Sequence, residues 1–166
     1  MDIAKLQNLL LTFEGRIGPN SLMQGTVVVF ALAVAIQVLG LALPFITILG
    51  MALLYPLFCL YAKRFHDAGK PAVWTLAVLG GVFVGGMILS AILTPLIIGD
   101  VFAAAMRGET LTGMTFRFKT FLLGVISAGV IYFGAAFIVN QVLKGDDGDN
   151  AYGPRPADAT SINPLS

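Results

Sequence analysis

His66 stands next to Asp67, and an imidazole beside a carboxylate is the pairing from which general-base catalysis is built. Adjacent side chains on a turn, however, rarely aim at one substrate atom, and no Ser or Cys nucleophile stands beside them in the sequence. The reading is therefore structural: Asp67 pairs with Arg64 or another local cation, and Gly69 permits a left-handed turn. A second candidate lies near the C-terminus, where Asp147, Asp149 and Asp158 fall at positions one, three and twelve of a calcium-loop register. Ala151 occupies position five and Tyr152 the place of the obligatory glycine, so no metal is expected there. The single cysteine, Cys59, lies in an apolar run and has no second thiol with which to form a disulfide or share a zinc site. It reads as a small buried apolar side chain. No catalytic residue, cofactor or metal is expected.

The elements that must position these groups are set by hydropathy. With 57% hydrophobic residues, 11% charged and a mean hydropathy of +0.88, the chain carries more apolar surface than one soluble core can hide. A net charge of +1 and the lack of a basic stripe argue against nucleic acid. A hydrocarbon core of about 30 Å needs about 20 helical residues, and four apolar runs meet or approach that length. They are predicted at 22–43, 45–62, 72–98 and 121–143, an all-α integral membrane protein with one domain over 1–156 and a disordered end over 157–166. Pro56 is expected to kink the second span and Pro95 to bend the third. Ile3, Leu6, Leu10 and Phe13 recur at helical spacing, which predicts a short amphipathic helix in the membrane interface before the first span.

Orientation follows from the basic residues. Lys5, Arg16, Lys63, Arg64, Lys70, Lys144 and Arg155 fall on one side, and Arg107, Arg117 and Lys119 on the other. The excess places both termini in the cytoplasm. No Asp, Glu, Lys, Arg or His lies inside the four predicted spans, which disfavours a proton relay or ion-coupled transport. Gln37, Ser90 and Asn140 are the polar exceptions and read as hydrogen-bonding between helices or to their own backbone. Gly81, Gly85 and Gly86 in the third span, with Gly124 and Ala128 in the fourth, form small surfaces that predict tight packing of these two helices, or the grip of another protein's helix.

Three polar signatures carry a resemblance. Phe13-Glu14-Gly15-Arg16-Ile17, Lys63-Arg64-Phe65-His66-Asp67-Ala68-Gly69-Lys70 and Gly148-Asp149-Asn150-Ala151-Tyr152-Gly153-Pro154 resemble, in order and spacing, those of the YhaH-type small bacterial inner-membrane proteins, the domain of unknown function 805. The chain departs from that pattern at Gly18-Pro19-Asn20-Ser21, where aromatic and basic residues are usual, at Trp74, usually a pair, and at Ala151, often Arg. The resemblance implies a bacterial cytoplasmic membrane and brings no activity with it.

Laid on the topology, the signatures share one face. Arg16, Lys63, Arg64 and Lys70 are expected to meet Asp67, Asp146, Asp147 and Asp149 in one polar cap, with His66, Gly69, Asn150 and Tyr152 completing it. The expected role is a non-catalytic structural or accessory subunit, its partners the lipid bilayer and a membrane protein or a second copy. The alternatives are a transport component for neutral cargo and a binder of anionic lipid headgroups at the cap.

Overall fold

The computed structural model describes residues 3–109 and 113–157. Most of the expected disordered end, and Asp158 with it, lies outside the described residues. Those residues form helices and turns, with one isolated bridge between Asn150 and Gly153 and no strand. Helix α1 (Ile3–Leu11) is amphipathic: Leu9 and Leu10 are buried while Ile3 and Leu11 stay exposed. Helix α2 (Pro19–Ala42) opens on a proline whose fixed φ suits a first turn and whose missing N–H would have had no partner there.

A single residue, Leu43, separates α2 from the second membrane segment, which begins as a 3-10 helix (Pro44–Leu53) and continues as α3 (Leu54–Asp67). This corrects the expected kinked α-helix. Pro56 sits in the first turn of α3, where a missing donor is cheap, and the irregularity is moved upstream into the 3-10 stretch. Helix α4 (Trp74–Met106) passes through Pro95 without ending, and α5 (Gly113–Val142) starts well before the predicted span. At 33 and 30 residues these two helices are about 50 and 45 Å long, so they outreach the hydrocarbon layer and carry Asp100, Arg117 and Lys119 on helix rather than loop.

Among the described residues four segments are long and apolar enough to cross a membrane: Pro19–Ala42, Pro44–Asp67, Trp74–Met106 and Gly113–Val142. Charged residues occupy only their ends. Helix α5 packs on both α2 and α4, and α3 packs on α1, α2 and α4. At Gly25 an added Cβ would lie 2.3 Å from Leu60 Cδ2, so this glycine is what lets α2 and α3 approach. The expected glycine packing is redistributed. Gly85 does face Ile131 across the α4–α5 contact, but Gly124 faces Gln37 of α2, and Gly81 and Gly86 meet nothing. Instead Gly81 and Gly85 line an apolar groove of about 460 Å³ between α4 and α5, with Gly86 and Ala128 in a second groove beside it.

The core is lopsided. Leu22, Val29, Leu57, Leu60, Ala136 and Val139 join Leu9 and Leu10 in one cluster at the end of the bundle where α1 lies. Four crossings return the C-terminal segment to that same end, which places the polar signatures together.

Candidate functional site: a buried arginine–aspartate cap

The Lys63-to-Asp67 motif is the last turn of α3, not a loop. Successive helical residues point about 100° apart, so His66 and Asp67 diverge and cannot act on one atom. Asp67 is wholly buried between two guanidiniums whose side chains are 1% and 2% exposed. Arg16 donates from Nε and Nη2 to its Oδ1 at 3.2 and 3.0 Å, and Arg64 donates from Nη1 to its Oδ2 at 2.5 Å. Such charge-assisted bonds are the strong kind, and here little solvent is present to screen them.

The remaining donors of both arginines go mainly to backbone carbonyls. Arg16 Nη1 reaches the carbonyls of Gly148 and Gly153 at 2.7 and 3.2 Å, and its Nη2 reaches that of Asp146 at 2.9 Å. Arg64 donates to the Leu143 carbonyl at 2.5 Å and to Asn140 Oδ1 at 3.0 Å; Asn140 Nδ2 in turn donates to the Pro19 carbonyl at 3.1 Å. Arg16 thus holds the C-terminal segment to α3, and Asn140 ties α5 to α2 and α3.

One rule places three of the basic side chains. A helix ends with carbonyls that lack partners, and a cation is the best donor for them. Lys63, 1% exposed, donates to the carbonyls of Asn8 and Leu9 at the end of α1, where Tyr55 Oη also donates to Leu11 at 2.9 Å. Arg64 serves the end of α5 through Leu143, and Arg117 serves the end of α2 through Leu41 at 3.0 Å. Lys63 is therefore a fastener for α1 rather than a partner of the acids.

His66 Nδ1 lies 3.2 Å from the Gly15 carbonyl, so that nitrogen carries the proton, and its ring stacks on Tyr152 with centroids 4.0 Å apart and planes 2° from parallel. Gly15 itself has φ +85°. Asn150 Nδ2 donates to the His66 carbonyl at 2.9 Å and to Asp146 Oδ2 at 2.7 Å, and Asn150 Oδ1 accepts from the Tyr152 N–H. Gly69, at φ +65°, turns the chain where a Cβ would sit 2.9 Å from Asp146 Oδ2.

The structure thus brings Arg16, Arg64, His66, Asp67, Gly69, Asn150 and Tyr152 together. Lys70 is exposed and stands apart, and Asp147 pairs with Arg155 at 3.2 Å instead of meeting Arg16. Asp149 turns back to the Arg155 N–H at 3.1 Å. Asn140 and Gly145 belong to the cap without having been expected there. A Cβ on Gly145 would fall 2.3 Å from Asp67 Oδ2, so the chain passes the carboxylate with no room for a side chain. Among the described residues no group of three or more His, Cys, Asp or Glu side chains could hold a metal.

The three signatures that build this cap fall inside residues 10–154, which match the family model described as protein of unknown function (DUF805). The chain belongs to the DUF805 family. It matches no curated protein and no solved structure. The resemblance read from the signatures is therefore shown at the level of the family, and the fold of this chain is a bundle of helices long and apolar enough to cross a membrane, closed at one end by an arginine–aspartate–arginine cluster.

Proposed function

We propose that this DUF805 protein is a non-catalytic accessory subunit of a larger membrane complex, seated in the bacterial inner membrane with both termini in the cytoplasm. The observation that carries the reading is α4. No residue in its most apolar window is buried within the bundle; its buried residues, Thr75, Ile98, Val101 and Ala104, all lie towards its ends. A helix that packs on α5 yet fully buries none of its apolar middle offers its outer faces, with the glycine-lined grooves beside α5, to a neighbour in the membrane. The cap supports the same reading, since its acid is spent on two arginines and its histidine is locked under Tyr152. Those arginines are also engaged internally, which weighs against anionic headgroups binding through them.

Purification in mild detergent after photocrosslinking from Phe83 or Met87, both exposed on α4, tests this. The expected product is a stoichiometric adduct with one larger membrane protein. Adducts with lipid alone would overturn the subunit reading, and a discrete homo-oligomer would favour transport. The orientation rests on the excess of Lys and Arg at the cap end. Reporter fusions at Gly145 and Gly108 are expected to read cytoplasm and periplasm; the reverse would invert the protein.

A further inference from the structure

A wedge of about 1000 Å³ opens between α1 and α2, lined by Lys5, Asn8 and Leu9 on one side and by Ser21, Gln24, Val27 and Val28 on the other. It exists because α1 is fastened to α3, by Lys63 and Tyr55, and touches α2 only lightly. Its size is at the upper end of ordinary ligand sites.

We propose that this wedge is a binding site for one phospholipid with an anionic headgroup. The chemistry of its walls is graded along α2. Ser21 and Gln24 lie in the first two turns after Pro19, nearer the headgroups, whereas Val27 and Val28 begin about 9 Å beyond Ser21 along the axis, nearer the acyl chains. Lys5 and Asn8, three residues apart, share the face of α1 that looks into the opening. Among the described residues no carboxylate lines the wedge, and the N-terminal end of α2 adds its own positive pole on the wall opposite Lys5. A phosphodiester meets a cation, an amide and a hydroxyl at the mouth. One acyl chain then covers the valines, which water would wet at a cost. A free anion would use only the mouth, and a neutral apolar molecule only the floor. The site is separate from the arginine–aspartate cap, and it stands whether or not the protein joins a larger complex.

The test uses the intact protein in detergent, titrated with phosphatidylglycerol or phosphatidylcholine and read by native mass spectrometry. Wild type is expected to hold one phosphatidylglycerol, not displaced by inorganic phosphate at equal concentration. Lys5→Glu, an exposed position, is expected to weaken phosphatidylglycerol about tenfold and phosphatidylcholine less, since a surface cation gives roughly fivefold and its reversal more. Val28→Trp, which fills the acyl end, is expected to release both lipids. Retention of phosphatidylglycerol at wild-type affinity by both variants would overturn the site. So would displacement of the lipid by inorganic phosphate, because the valine wall would then contribute nothing.

Discussion

Asp67→Ala is expected to be the most damaging single substitution in this protein, lowering stability by about 3 to 5 kcal/mol and cutting the yield of folded protein sharply. The carboxylate is wholly buried and is the shared acceptor of Arg16 and Arg64. Without it two guanidiniums face each other in a site almost closed to water, and neither can lose its proton. His66→Ala is expected to be much milder, because it removes a stack on Tyr152 and one bond to the Gly15 carbonyl but leaves no charge uncompensated. Thermal melting of both purified variants beside wild type decides the matter. If Asp67→Ala melted with wild type, the cluster would not hold the fold. If His66→Ala kept its melting temperature yet lost a cellular phenotype, the last turn of α3 would have a chemical role after all.

Gly145→Ala is expected to cost about 1 to 3 kcal/mol, the usual range for forcing extra volume into a packed site. The added carbon would stand 2.3 Å from Asp67 Oδ2. That oxygen cannot retreat, because Arg64 holds it, and the neighbouring backbone cannot move freely, because the Asp146 N–H donates to the Asp67 carbonyl at 2.8 Å. Gly148 is the matched control, three residues on in the same segment with nothing near its own Cβ position. Gly148→Ala is expected to stay within about 0.5 kcal/mol of wild type. Equal melting of the two variants would mean that Gly145 does not approach the carboxylate so closely.

The four membrane segments were legible because long apolar runs follow from bilayer thickness alone. Their ends were not. Asp100, Arg117 and Lys119 looked like loop residues, yet Asp100 and Lys119 pair at 2.5 Å across α4 and α5, and Arg117 caps α2, so helix persists through them. Charge likewise disguised Lys63 to Asp67 as a turn, although all five residues are helical and buried. The cap was visible through Arg16, Asp67, Asn150 and Tyr152, whose side chains carry distinctive chemistry. What the arginines hold besides Asp67 was hidden, because the carbonyls of Leu143, Asp146, Gly148 and Gly153 belong to the backbone and every residue has one. Gly145 was hidden for a related reason: a close approach is a property of two segments in space, and only one of them is the glycine.

The span of chain between Arg16 and its carbonyl partners has a consequence for biogenesis. Gly148 and Gly153 lie 132 and 137 residues downstream, so the side chain waits through the synthesis of all four crossings before its acceptors exist. Until the chain has grown past α5, Arg16 has only Asp67, and Arg64 lacks Asn140 and the Leu143 carbonyl. The contacts of Arg16 with Gly148 and Gly153 therefore cannot close before every preceding helix has been synthesised. A chain stopped just short of residue 148 would keep the contacts of Arg64 with Asp67, Asn140 and Leu143 but leave Arg16 Nη1 without its two glycine carbonyls, a chemical mark by which an unfinished molecule differs from a finished one.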